Sequence, residues 1–313
     1  MPAVSVIIPA YNRRAMLKEA IASVAAQRGA NFELIVVDDG SDDGTWEDLN
    51  EGELAAALAQ APSGCAVKLL RQENRGPAAA RNHGAAVATG EYLAFLDSDD
   101  LWMPDKLARQ LAYFANHPHL RIAQTQELWL REGRPVNPGR RHRKPEGQFF
   151  VAALRTCLIS PSAVMMRADL FTALAGFDPR LAACEDYDLW LRVLIKHPVG
   201  LLDAPLVIRR AGPHGQLSAL TPALDRFRIR SLLKLLAAGD LDAAMQRQTA
   251  LVLRQKCGIY AQGLERRRHE RQADFYRGLA GQIAIQLEHN LTLDRNLVAG
   301  LLRAQPLECP DDV

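Results

Sequence analysis

The sequence predicts an α/β fold, a mainly parallel sheet with flanking helices, followed by an all-helical C-terminal module. Three observations carry this expectation. Short apolar runs alternate with helical periodicity through the first hundred residues. Three of those runs end in polar turns, two of them rich in aspartate. After about Ala219 the strand signals give way to long patterns of Leu, Ala, Arg and Gln at helical spacing. The expected division is an α/β domain over 1–218 and a helical module over 219–313.

Residues 4–8 form a continuous apolar run ended by Pro9, as expected for a strand covered on both faces. Leu17, Ile21 and Val24 then recur at helical spacing. A second buried strand spans 34–37 and stops at Asp38-Asp39-Gly40-Ser41. Residues 45–58 read as one helix and 67–70 as a third strand. Pro77 suits the first turn of the alanine-rich helix 78–88. A fourth strand, 92–96, runs into Asp97-Ser98-Asp99-Asp100. Strands and helices in this alternation imply right-handed crossovers and a parallel sheet, with ligands beyond the carboxyl ends of the strands. Pro9 to Tyr11, Asp38 to Ser41 and Asp97 to Asp100 therefore share one rim. Further on, residues 122–129 read as a weak strand before a basic loop containing Arg140, Arg141, His142, Arg143 and Lys144. A strand over 163–166 and a helix over 185–196 follow. The helical module reads as 224–236, 241–264, 273–287 and 293–302.

Composition narrows the function classes. The 313 residues are 48% hydrophobic and 24% charged, with 38 Lys plus Arg against 36 Asp plus Glu. A net charge of +2 provides no large basic excess for nucleic acid. Five scattered cysteines without a CxxC pair indicate neither a zinc site nor a disulfide framework, and fit a reducing compartment. No apolar stretch reaches the roughly 18 residues of a membrane-spanning helix, and the N-terminus lacks the features of a signal peptide. The expected location is the cytoplasm, with peripheral contact at the inner face of the membrane as an option.

Several residues could carry chemistry. Asp97 and Asp99 lie two apart at a strand end, where alternation would aim both carboxylates at one ligand. Oxygen donors of this kind suit Mn²⁺ or Mg²⁺, although Asp and Ser also simply favour turns and helix N-caps. Asp39 could accept from a base N–H or a ribose hydroxyl, or could only turn the chain. Arg75, Arg81 and Asn82 lie at or on the helix opened by Gly76-Pro77, where helix N–H groups and an arginine can hold phosphate. Glu185, Asp186 and Asp188 open a helix; the helix dipole alone would favour them there, and a proton-accepting carboxylate would also sit there. His214 could contact metal or diphosphate, or be merely exposed. No Gly-x-Gly-x-x-Gly follows a strand and no P-loop motif is present, which disfavours a dinucleotide cofactor and a nucleotide triphosphatase.

Taken as an ordered series, VSVIIPAYNR, LIVVDDGSDDGT, ENRGPAAARNHGA, GEYLAFLDSDD and GFDPRLAACEDYDLWLR resemble the family 2 glycosyltransferases. The resemblance runs from residue 3 to about 218. It implies the GT-A, Rossmann-like fold and an inverting transfer from a nucleotide-diphosphate sugar, usually a UDP-sugar, to a hydroxyl on a glycan, lipid-linked saccharide or protein. By the same resemblance Pro9, Tyr11 and Asp39 line the base and ribose site, Arg81 lies near the diphosphate, and Asp97 and Ser98 complete the nucleotide-sugar site. Asp99, with Asp97, would be the metal ligand and Asp186 the catalytic base, with Glu185 beside it. The processive Gln-x-x-Arg-Trp pattern and membrane helices are missing, which points to transfer of a single sugar into material such as a cell-surface polysaccharide.

Two rival readings remain at this stage. A sugar-1-phosphate nucleotidylyltransferase would carry a Gly-rich basic loop where Pro9-Ala10-Tyr11-Asn12 stands. A non-catalytic scaffold would explain the helical module, whose apolar stripes (Leu232, Leu235, Leu236, Leu251) must be buried somewhere. Packing within the chain, extended to a homodimer, is the expected solution.

Overall fold

The computed structural model describes residues 1–137, 139, 143–210, 221, 223–288 and 294–306. The N-terminal half alternates as expected: β1 Val4–Ala10, α1 Arg14–Ala25, β2 Phe32–Asp38, α2 Thr45–Glu51, α3 Glu53–Leu58, β3 Val67–Arg71, α4 Gly76–Ala86 and β4 Tyr92–Phe95. Then come β5 Leu101–Trp102, α5 Lys106–Asn116, β6 Ile122–Arg131, β7 Arg134–Val136, α6 Phe150–Ala153, β8 Val164–Arg167, α7 Ala168–Ala173, α8 Glu185–Leu194 and β9 Gly200–Arg210. Four helices end the described chain: α9 Asp225–Ala238, α10 Ala243–Arg266, α11 Glu270–Glu288 and α12 Arg295–Ala304.

Among the described residues the sheet has nine strands in the order β3-β2-β1-β4-β8-β6-β9-β5, with β7 paired to β6. The pairs among β3, β2, β1 and β4 are all parallel, and so is β6 with β9. Only β5, β7 and β8 run the other way. Every residue of β1 and β2 is buried, which is why their sequences are mainly apolar and the polar members Ser5, Glu33 and Asp38 are buried too. On one face Val6, Ile8, Leu34 and Val36 pack with Leu17 and Ile21 of α1, Leu54 of α3 and Phe114 of α5. On the other, α4 comes so close that a Cβ on Gly84 would lie 2.6 Å from Ile7 Cγ2.

The structure departs from the sequence reading in identifiable places. The single helix expected over 45–58 is two. Asp48 Oδ1 accepts from Glu53 N at 2.7 Å, capping α3, and a Cβ on Gly52 would fall 1.6 Å from that oxygen. Strand β9 was hidden by Asp203 and Pro205, since proline lacks the ladder donor; the β6–β9 register shifts on either side of Gln126 accommodate them. His214 and the segment 211–218 lie outside the described residues, as do Arg140, Arg141 and His142.

The chain separates into two compact units. One comprises Met1–Gln148, Leu158–Leu189 and His197–Gly212, and the other Phe149–Cys157, Trp190–Lys196 and Pro213–Val313. In the second, α10 packs with α9 and α11, and α12 packs on α9. Asp242 and Asp294 cap α10 and α12 by accepting from Met245 N and Asn296 N. Gly239 ends α9 at φ 78°, and the Arg295 guanidinium donates to the exposed carbonyls of Ala237 and Ala238. Of the expected apolar stripe, Leu232, Leu235 and Leu236 are buried while Leu251 is 36% exposed. Among the described residues no helix is long and apolar enough to cross a membrane.

The strand ends opposite the candidate rim are pinned by one carboxylate. Glu33 of β2 stands in register with Ser5 of β1 and is 1% exposed. It accepts from Ser5 Oγ at 2.6 Å, Thr89 N at 2.6 Å and Thr89 Oγ1 at 2.8 Å, and pairs with Lys68 Nζ at 2.8 Å. Burial alone would raise its pKa; the lysine and the three donors reverse this and bring it to about 2. Because that lies below the ordinary 4.5, the stabilisation is complete above pH 4.5 and is lost as pH falls toward 2, by roughly 3 kcal/mol. In urea unfolding at pH 7 and pH 3, Glu33 should therefore contribute about 2 kcal/mol to the loss seen for the natural protein. Glu33→Gln should be less stable at pH 7 and should lose much less between the two pH values.

Candidate functional site

Three loops meet at the carboxyl ends of β1, β2 and β4. Beyond β1, Asn12 is left-handed at φ 52°; its N–H donates to Ser41 Oγ at 3.0 Å, while its side-chain oxygen accepts from Asp42 N. This ties the first loop to the second. Pro9 is buried past the last β1–β4 pair, and Tyr11 is 44% exposed on the rim. Asp39 is buried, and its carboxylate accepts from Gln72 Nε2 at 2.7 Å, Arg75 N at 3.0 Å and Gly76 N at 2.8 Å. It therefore binds the start of α4, consistent with the preference of carboxylates for helix N-termini.

After β4 the chain closes a turn through Asp100 N donating to Asp97 O at 2.9 Å. The turn, rather than the strand alternation expected from sequence, brings the acids together. One oxygen from each of Asp97, Asp99 and Asp100 lies within 4.8 Å of the others. Strand alternation singles out Asp97 and Asp99 and gives no sign of Asp100, which the turn brings beside them. Ser98 is buried, and the turn is braced by Asp97 N donating to Ser162 Oγ at 3.1 Å. Burial, then the charges of Asp99 and Asp97, hold the Asp100 carboxyl well above the usual range.

Arg81 joins this turn to α8. It is 5% exposed rather than lying on a solvated face. One guanidinium nitrogen sits 2.6 Å from Asp97 Oδ1, another 2.6 Å from Glu185 Oε1, and the Phe177 ring lies 5.3 Å away. Burial opposes the charge, but the two carboxylates outweigh it and raise the Arg81 pKa. For Glu185, burial raises the pKa most, Arg81 pulls it back and Asp186 adds to the rise, leaving the carboxyl at about 7. Asn82, beside Arg81 on α4, is spent on the backbone of Phe177, donating to its carbonyl and accepting from its N–H. The first turn of α8 sorts its acids by access: Glu185 and Asp188 are buried, while Asp186 is only partly covered.

Basic residues that sequence reading passed over ring the acids. Arg13 pairs with Asp99 at 2.6 Å, and Arg210 donates from Nε to Asp99 O at 2.6 Å. Arg209 stacks 4.9 Å over Trp129 and lies 3.9 Å from Glu127, which also pairs with Lys144 at 3.0 Å. Burial would raise the Glu127 pKa, but Lys144 and Arg209 hold it at about 2. These residues are far apart in sequence, and the only prior sign was the basic composition around Lys144 and at the end of β9.

Solved structures share this architecture. Residues 1–349 of S. aureus TarS, solved with UDP, superpose on 96% of this chain and 87% of their own with a TM-score of 0.68 at 21% identity. The mannosyltransferase PcManGT from Pyrobaculum calidifontis, solved with GDP-Man and Mn²⁺, covers 99% of this chain and 81% of its own with a TM-score of 0.57 at 19% identity. At such identities the likeness shows the fold, which is GT-A. Residues 5–173 match Glycosyl transferase family 2, and the chain belongs to that family. An uncharacterized glycosyltransferase of Rickettsia conorii is 34% identical over 203 residues, covering 65% of this chain and 32% of its own. The chain thus spans about a third of that relative's length. The Bacillus subtilis glycosyltransferase TuaG, named for teichuronic acid biosynthesis, is 32% identical over 195 residues, covering 62% and 73%.

The Arg81 geometry makes a stability prediction. Removing one partner from a buried ion network costs about 3–5 kcal/mol because the remaining charge is stranded. Arg81→Ala should lose stability on that scale in urea unfolding. Adding Glu185→Gln to Arg81→Ala should recover part of the loss, and an additive or worse double variant would contradict the network.

Proposed function

We propose that this chain is an inverting glycosyltransferase that moves a single sugar from a nucleotide-diphosphate donor, a UDP-sugar, to a hydroxyl of a glycan, lipid-linked saccharide or protein. The observation that carries this reading is the convergence of Asp97, Asp99 and Asp100 beyond β4, coupled through Arg81 to the acidic first turn of α8. Family membership and the nucleotide and nucleotide-sugar complexes of the fold neighbours support it.

In this reading Pro9, Tyr11 and Asp39 border the base and ribose, with Tyr11 exposed to stack on the base and Asp39 fixing the start of α4. Asp97, Asp99 and Asp100 offer clustered hard oxygens, a donor set that fits Mn²⁺ or Mg²⁺. When bound, such an ion offsets the charge of a departing diphosphate. Arg81 holds Asp97 in place from the protein side and keeps Glu185 against α4. Asp186 takes the proton of the acceptor hydroxyl, since it is the one acid of the α8 first turn that is not buried. Direct attack by that hydroxyl from the side opposite the leaving diphosphate inverts the anomeric centre without a covalent enzyme intermediate.

Two substitutions test the assignments. Asp99→Asn keeps shape but removes a charge, so the Mn²⁺-dependent part of UDP binding measured by calorimetry should fall at least about tenfold, a loss of roughly 1.4 kcal/mol. Asp186→Asn should retain UDP binding while UDP release from a UDP-sugar drops by roughly 10²–10⁴, the usual worth of a positioned base. Asp188→Asn should instead act mainly on stability, because Asp188 is 1% exposed; if it abolished turnover while Asp186→Asn did not, the base would be misassigned.

A further inference from the structure

Arg13 stands between the loop after β1 and the start of α1, and its Nη1 lies 2.6 Å from Asp99 Oδ2. The two side chains are only 22% and 15% exposed. The neighbouring acid Asp97 has its cation in Arg81, which is locked by a second carboxylate and a phenyl ring. Arg210, which holds the Asp99 carbonyl, is likewise anchored elsewhere, to Glu19 and to the Asp100 carboxylate through its backbone N–H. Among the described residues Asp99 is the one carboxylate within ion-pair distance of Arg13. Of the arginines at the acidic turn, Arg13 is therefore the one that can leave at the cost of a single contact.

A guanidinium 2.6 Å from Asp99 Oδ2 and a divalent cation on the same carboxylate repel each other, so each weakens the other's hold. A guanidinium displaced in these largely covered surroundings is stabilised by another anion, and a phosphate matches its fork of donors. We propose that Arg13 is the resident counter-ion of Asp99, that it yields this carboxylate to a divalent cation, and that the phosphates of a nucleoside diphosphate then receive it. Binding of cation and nucleotide is thereby coupled through one side chain, and linkage makes the coupling reciprocal. The proposal rests on the reading of Asp97 and Asp99 as cation ligands. Its alternative is that Arg13 merely fastens the start of α1.

Calorimetric titration of the full chain with Mn²⁺, with and without saturating UDP, separates these. In Arg13→Ala the competitor is gone, so Mn²⁺ alone should bind about tenfold more tightly than to the natural protein. The gain in Mn²⁺ affinity on adding UDP should be at least fivefold smaller than in the natural protein, because UDP no longer draws the arginine away. Arg13→Lys, which keeps charge and reach but not the fork, should fall between the two and guards against a misfolded alanine variant. Unchanged or weaker Mn²⁺ binding by Arg13→Ala, or an equal gain from UDP, would overturn the proposal while leaving the cation site standing. If neither the natural protein nor Arg13→Ala binds Mn²⁺ in either condition, the cation reading of Asp97 and Asp99 falls, and the proposal with it.

Discussion

A buried arginine must be paired, and here that requirement organises the rim at the carboxyl ends of the strands. Arg81 sits on a helix whose other residues are mostly alanine and glycine, which lets α4 lie close to β1 and carries the guanidinium below the surface. Once there it demands two carboxylates. One comes from the turn after β4 and the other from the start of α8, about a hundred residues later. Asn82 adds a neutral clasp to the Phe177 backbone next door. The position of Asp186, immediately after Glu185, is thus set from α4, and the partly open acid inherits its place from its buried neighbour.

The site is also an arrangement of unequal acids. Asp97 and Glu185 are paired from within, Asp100 is buried and crowded by like charge, and Asp188 is covered. Asp99 is paired with Arg13, and Asp186 is the acid of the α8 first turn left partly open. The same segregation explains why so many arginines converge here although the chain as a whole is nearly neutral. Their charges are matched locally, so net charge says little about the chemistry.

Much of this was legible in the sequence. Strands β1 and β2 were readable because both faces are covered, which forces mainly apolar runs, and the turn at Asp97 to Asp100 was readable because three strand ends pointed to one rim. What escaped has physical causes. A proline and an aspartate inside β9 broke its pattern, and only the register shifts against β6 show how they are tolerated. The break between α2 and α3 depends on a side chain capping across Gly52, which periodicity does not register. Lys106 is fully buried beneath the Trp102 ring and bonded to Gln110, where composition would place a lysine in water. The Glu127, Lys144 and Arg209 network joins residues separated by up to 82 positions (209 minus 127), so no local pattern could announce it.

The Glu33 cluster bears on how this scaffold can change over evolutionary time. Gly90 passes so near β1 that a Cβ would lie 2.6 Å from Ser5 N, and the Ser5 hydroxyl both accepts from Gly90 N and donates to Glu33. Five positions on three strands and a loop, Ser5, Glu33, Lys68, Thr89 and Gly90, therefore constrain one another. The opposite rim, built of loops, carries no such joint constraint on exposed positions like Tyr11. Tolerated change is channelled to one edge of the sheet, while lesions at the other would surface as lost protein.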